Sequence, residues 1–181
     1  MTQALLDRKW DNFFNHFDAN GNGYVEHEDF VQRGEEIVTA CGYDPASERA
    51  KSVADGFQQV WTSLVGSLDT DGDGRVSRGE FVAGMAVLAE GDGYDTVFQP
   101  AIDALLVIGD EDGDGRLSMD DWLRLQGGYG TPLPVAEESF RLLDTDASGY
   151  LTRAEISVAT REYFTSTDPQ AAGNHLYGPL V

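Results

Sequence analysis

The sequence predicts an all-α protein: two pairs of helix–loop–helix units packed into one compact body, with a short two-strand contact between the loops of each pair. Three observations predict it. Four twelve-residue stretches rich in Asp, Asn and Gly recur along the chain, starting at residues 18, 69, 110 and 144. Apolar residues at three- and four-residue spacing flank them, the mark of amphipathic helices. Hydrophobic residues make up 41% of the 181 positions, enough for a sizeable core and too many for general disorder.

Residues 3–17 are expected to form the first helix, with Leu6, Trp10, Phe13, Phe14 and Phe17 on its core face. After the first loop, Phe30, Ile37, Val38 and Cys41 line the inner side of a second helix, which Gly42 should end. Asp44-Pro45 predicts the next start, with Asp44 as N-cap and Pro45 in the first position. Ala50, Val53, Phe57, Trp61, Leu64 and Leu68 then carry a helix of about 23 residues into the second loop, with Gly56 and Gly66 as points of bending. Phe81, Met85, Leu88 and Ala89 mark the helix that follows. Gly91-Asp-Gly93 is the expected joint, dividing the chain into an N-terminal pair (1–91) and a C-terminal pair (92–164). Residues 95–108 form the next entering helix, kinked by Pro100 or starting there. Residues 119–126 leave the third loop, and 127–134 are a linker with Pro134 as a first helical residue. Residues 135–143 and 153–164 flank the fourth loop, and 165–181 are a tail.

The chemistry is in the loops. The second, Asp69-Thr-Asp-Gly-Asp-Gly-Arg-Val-Ser-Arg-Gly-Glu80, places carboxylates at positions 1, 3, 5 and 12 (Asp69, Asp71, Asp73, Glu80), with Gly74 at position 6 for a sharp turn. A hard cation such as Ca2+ takes six to eight oxygens at roughly 2.3–2.6 Å. This spacing delivers them, with the main-chain carbonyl of Arg75 at position 7. The fourth loop offers Asp144, Asp146, Ser148, Tyr150 through its carbonyl, and Glu155. The first offers Asp18, Asn20, Asn22, the carbonyl of Tyr24, and Asp29. The third offers Asp110, Asp112, Asp114, the carbonyl of Arg116, and Asp121. Asp29 and Asp121 are one methylene shorter than Glu, so one oxygen reaches an ion more easily than two. These two loops are expected either to hold Mg2+, which demands a tighter octahedral shell, or to bind Ca2+ more weakly. Gly109 precedes the third loop where the others have Phe17, Leu68 and Leu143, a lost apolar anchor that should loosen it. Ser77-x-x-Glu80 and Thr152-x-x-Glu155 also read as capping boxes; capping explains the glutamates but not the three oxygens upstream of each. Position 8 is aliphatic in every loop, and Val25 is expected to pair with Val76, and Leu117 with Leu151.

These four repeats resemble the loops of EF-hand proteins. Chain length, the long first-to-second interval and the tail from Phe164 resemble the sarcoplasmic calcium-binding proteins and their calerythrin-type bacterial relatives, whose first loop likewise closes with Asp. The resemblance implies a compact, cytoplasmic, monomeric buffer of Ca2+ and Mg2+, holding up to four ions, with Leu176, Tyr177 and Leu180 of the tail packed across the halves. Many members have a degenerate second loop, whereas here the second is the most regular. A sensor of an unknown protein partner is the alternative. Only Met1, Met85 and Met119 occur, few for the Met-rich groove of a sensor. A luciferin-binding photoprotein has a related fold, but His16, His27 and His175 form no recognisable set.

Other classes are disfavoured. The formal net charge of −20 repels nucleic acid and anionic membranes, and four divalent ions would still leave −12. Cys41 stands alone, so no internal disulfide forms, and it reads as a buried small hydrophobe. No stretch approaches the length of a membrane span. The motifs of a zinc hydrolase, a nucleophile elbow or a phosphate loop are missing, so an enzyme is not expected.

Overall fold

The structure, a computed structural model, describes residues 2–90 and 93–178. In the first half, α1 (Thr2–Phe17), β1 (Tyr24–Val25) and α2 (His27–Ala40) form the first unit, and α3 (Glu48–Leu68), β2 (Val76–Ser77) and α4 (Arg78–Glu90) the second. In the second half, α5 (Gly93–Gly109), β3 (Arg116–Ser118) and α6 (Met119–Gly128) are followed by α7 (Leu133–Leu143), β4 (Tyr150–Thr152) and α8 (Arg153–Thr165). A 3-10 turn, Ala172–His175, lies in the tail. No helix among the described residues is long and apolar enough to cross a membrane.

The loops pair as the position-8 residues predict. Both strand pairs are antiparallel, with Val25 opposite Val76 and Leu117 opposite Leu151. All four of these side chains are buried, so each two-strand contact is also a plug over the core. The aromatic face of α1 is the centre of that core. Phe13 lies against Phe17, Phe81, Phe98, Phe164 and Tyr177, so one side chain touches both halves and the tail. Ring pairs at such separations add about 0.5–1.5 kcal/mol each beyond the area they bury.

Several boundaries differ from the sequence expectation. Helix α3 does not start at Asp44-Pro45. Asp44 caps a turn through the Ala46 N–H, and the helix begins at Glu48 with Ser47 as N-cap, its hydroxyl accepting from the Ala50 N–H. Two capping residues lie three apart, and the second one starts the helix. Helix α5 runs through Pro100 and starts upstream of it. Helix α6 continues two residues further than expected, because Gly128 lets the α2 backbone approach: a Cβ there would lie 2.7 Å from the Ile37 Cα. Helix α7 takes Leu133 as its first residue and Pro134 as its second.

Gly56 has a packing role. A Cβ at Gly56 would lie 2.3 Å from the Ala104 Cβ and 3.3 Å from the Pro100 carbonyl oxygen. It is the point where α3 crosses α5, the most extensive contact between helices in the molecule. Gly42 does end α2: with φ at +75° it allows Tyr43 N–H to reach the Val38 carbonyl and Gly42 N–H the Thr39 carbonyl. The tail packs as expected where it is described. Leu176 is buried, Gln126 donates to its carbonyl at 3.0 Å, and Tyr177 lies against Tyr129 and Tyr163. Leu180, Gly91 and Asp92 lie outside the described residues.

Candidate metal centres

Each loop is built around its first aspartate. The position-6 glycines Gly23, Gly74, Gly115 and Gly149 have φ between +80° and +87°, a region that only Gly enters without strain. That turn aims their N–H groups at Asp18, Asp69, Asp110 and Asp144, at 3.0, 3.0, 2.8 and 2.9 Å. The position-7 N–H then donates to the position-5 side chain: Tyr24 to Asn22, Arg75 to Asp73, and Arg116 to Asp114, each at 2.9 Å, and Tyr150 to Ser148 at 3.4 Å. These donors fix the side-chain oxygens around the loop. The fourth loop departs at position 4, where Ala147 takes a φ of +55° that the other three loops give to glycine.

The position-12 carboxylates close the loops in two ways. One oxygen always accepts from the position-9 N–H: Asp29 from Glu26 at 2.8 Å, Glu80 from Ser77 at 2.9 Å, Asp121 from Ser118 at 2.8 Å and Glu155 from Thr152 at 2.9 Å. In the second and fourth loops the other oxygen reaches back across the ring. Glu80 accepts from the Thr70 N–H and Glu155 from the Thr145 N–H, at 2.9 and 3.1 Å. The donors from Ser77, and then from Thr70, hold the Glu80 carboxyl at a pKa of about 2. Burial works against ionisation of Glu155, but the Thr152 and Thr145 donors outweigh it and lower its pKa. Asp29 goes the other way, raised by burial. Capping and loop closure are thus one arrangement, and the capping boxes expected at Glu80 and Glu155 are present.

Three acidic clusters gather ligand oxygens within 4.8 Å of one another: Asp69, Asp71 and Asp73; Asp110, Asp112 and Asp114; and Asp144, Asp146 and Glu155. At that separation two carboxylates repel by roughly 1–3.5 kcal/mol over the effective dielectrics of water and a protein surface. Glu80 and Asp121 stand outside these clusters. The first loop forms no such cluster, since Asn20 and Asn22 occupy positions 3 and 5; its Asp29 oxygen is instead 3.3 Å from the Asn20 amide. All the donors are oxygens, alternating inward on a sharp turn, which fits a hard divalent cation. At Gly109, where an apolar anchor is missing, neighbouring side chains close the space. A Cβ there would lie 2.6 Å from Leu125 and 3.0 Å from Leu117, so these two leucines fill the place of the anchor.

A family model for the EF hand matches residues 11–32, 67–86, 102–126 and 136–158, each segment spanning one loop. The chain is a calcium-binding EF-hand protein. It carries four hands, and several relatives run nearly its whole length. Calerythrin of Saccharopolyspora erythraea is 24% identical over 166 residues, 90% of this chain and 94% of that one. The solved structure of a Streptomyces coelicolor calcium-binding protein, described for prokaryotic calcium-mediated regulation, shares 31% identity with a TM-score of 0.79, covering 89% of this chain and 98% of the other. Clytin of Clytia gregaria is 28% identical over 96% of this chain and 90% of its own.

Sequence reasoning missed the arginines around the EF hands. Arg75 stacks on Tyr24 at 4.0 Å and Arg116 on Tyr150 at 4.2 Å, so position 7 of one hand touches position 7 of its partner in both pairs. Each also bonds its own position-5 aspartate, Asp73 at 2.7 Å and Asp114 at 2.6 Å. The signal was present: Arg in one loop and Tyr in the paired loop, at the same position, in both halves. Two apolar spaces lie away from the loops. A central cavity of about 50 Å³ is lined by Phe13, Phe57, Phe98, Trp122, Tyr129 and Tyr177. A larger groove of about 420 Å³ opens between α2 and α3 at Val31, Gly34, Val38 and Ala54.

Proposed function

We propose that this EF-hand protein buffers Ca2+ in the cytoplasm, using the twenty loop residues named above as ligands, with residues 1–91 and 92–164 as the two binding pairs and 165–181 as a clasp. The observation that carries the reading is the conjunction of four loops with inward side-chain oxygens and halves that share one core. The carboxylates converge within each acidic cluster, while Phe13, Leu176 and Tyr177 join the halves. A bound divalent cation would neutralise the crowded carboxylates. Asp29 and Asp121, the shorter closing residues, fit Mg2+ at the first and third hands. A buried thiol at Cys41, pushed up to about 11 by desolvation, fits a reducing compartment.

Calorimetric titration of metal-free protein with Ca2+, with and without Mg2+, tests this. Up to four events are expected, two weakened by Mg2+, with a melting temperature well above that in chelator. Ligand at a hundred times its dissociation constant adds about 2.7 kcal/mol per site. Equal melting temperatures would reject the reading.

A calcium sensor is the second reading, favoured by the likeness to the Streptomyces protein and by the groove between α2 and α3. Calcium-dependent retention on an apolar resin would support it over the buffer. The photoprotein reading finds less support, since the central apolar cavity is small, about 50 Å³.

A further inference from the structure

We propose that Arg124 is a latch on the third EF hand, an internal cation seated on the closing carboxylate of Asp121, which makes this hand fill after the second and fourth. The inference rests on the third loop binding Ca2+ as proposed above.

The position-12 residues supply the comparison. Each keeps one oxygen on the position-9 N–H, and the hands differ in what holds the other. In the second and fourth it is the neutral N–H and hydroxyl of Thr70 or Thr145. In the first it is the neutral amide of Asn20. In the third it is a guanidinium: Arg124 Nη2 donates to Asp121 Oδ1. A neutral donor gives up a carboxylate to an incoming cation without loss of charge pairing. A guanidinium competes for the same charge, as a full cation already paired with the carboxylate. The Asp121 side chain is only 10% exposed, so solvent screens this pair less than an ordinary surface pair.

The latch can open without stranding its cation. The same Arg124 Nη2 lies 2.8 Å from Glu111 Oε2, at position 2 of the loop and well exposed. When Asp121 turns inward, Glu111 keeps the guanidinium. Thr70 and Thr145 occupy position 2 in the second and fourth hands, where no arginine needs a resting place. Arg116 adds to the effect by holding Asp114 at 2.6 Å. Among the described residues, guanidinium groups therefore occupy two ligand carboxylates in the third hand, one in the second (Asp73, on Arg75) and none in the fourth.

The test is a Ca2+ titration of the full chain followed by amide NMR at the position-6 glycines, Gly74, Gly115 and Gly149, in the native protein, Arg124→Gln and Arg161→Gln. The last removes the same charge, but from an ion pair with Asp95. In the native protein, Gly115 is expected to reach its midpoint at higher Ca2+ than Gly74 and Gly149. Arg124→Gln should lower the Gly115 midpoint about two- to fivefold while Gly149, in the same sample, stays in place and reports that the fold is intact. A Gly115 midpoint unmoved by Arg124→Gln, or moved equally by Arg161→Gln, overturns the latch and leaves the site standing. A Gly115 signal silent to millimolar Ca2+ in both the native protein and Arg124→Gln overturns the site itself, and the latch with it. Silence in the native protein with a response in Arg124→Gln supports both. Should Arg124→Gln not fold, the native order decides, and Gly115 moving with or before Gly149 overturns the proposal.

Discussion

The Lys9 ammonium lies 2.8 Å from the Ser166 carbonyl oxygen and is fully shielded from solvent. It also donates to the Glu162 carbonyl at 3.1 Å. A helix presents unpaired carbonyls and partial negative charge at its C-terminus, and Lys9 of α1 supplies both donors and charge to the end of α8. The neighbouring Trp10 indole donates to the Phe164 carbonyl at 3.0 Å, and the Tyr163 hydroxyl donates back to the Lys9 carbonyl at 2.8 Å. The first hand's entering helix is therefore stitched to the fourth hand's exiting helix.

Lys9→Met should cost about 1–3 kcal/mol, since it removes the ammonium donor from the half-buried Ser166 carbonyl and one of two donors from the Glu162 carbonyl, measurable by urea unfolding in chelator. The pH dependence has a definite sign. Burial lowers the Lys9 pKa from 10.5 to about 8, against the pull of Glu162 and Asp168. Between those values the unfolded chain holds a proton that the folded chain has released, so this group makes stability rise with pH across that window. Below pH 8 the burial cost is fully present. The native protein should gain stability relative to Lys9→Met from pH 8 to 10, and a constant difference would contradict the assignment.

Gly56→Ala should destabilise the protein by about 1–3 kcal/mol, the usual range for overpacking, because its Cβ would meet Ala104 at 2.3 Å. The double variant Gly56→Ala, Ala104→Gly moves the small residue to the facing helix and should recover part of the loss. Thermal melts of the four combinations give the coupling.

Ala147→Gly should stabilise the metal-free fourth loop by up to about 1 kcal/mol, because the left-handed conformation costs a non-glycine residue about that much. Part of the gain is lost to the freer unfolded chain. Hydrogen exchange at Gly149 in chelator would read the change locally.

Gly173→Ala should unseat the tail. A Cβ at Gly173 would lie 2.3 Å from the Ala159 carbonyl oxygen and 2.9 Å from the Tyr163 amide nitrogen, both backbone atoms of α8 that cannot step aside. Tyr177, edge-on to Tyr163, should then become accessible, and increased binding of an apolar dye would report it.

The loops were readable because their chemistry is local. Carboxylate spacing and a glycine at a fixed offset are properties of twelve consecutive residues, and the structure puts Asp144, Asp146 and Glu155 together as that spacing implies. Strand pairing was readable too, since Val25, Val76, Leu117 and Leu151 sit at one position of a repeat. Contacts between distant residues were not. The Gly109 gap is filled by Leu125, sixteen positions later, and nothing local signals it. Lys9 looks like a surface residue beside Trp10, until α8 arrives to take its charge. Arg124 follows Asp121 by one helical turn and was visible in principle, but attention to oxygen donors passed over the groups competing for them.

Gly56 has a consequence for shape. Where Gly56 meets Ala104, two entering helices from opposite halves run almost backbone to backbone, so the halves are held against each other at this crossing. Ion uptake must then be absorbed as rotation of single helices inside a fixed envelope. The radius of gyration should scarcely change between chelator and saturating Ca2+. A dumbbell-shaped receiver wraps its target by folding over it; halves joined at Gly56 and Ala104 are expected to keep their spacing instead.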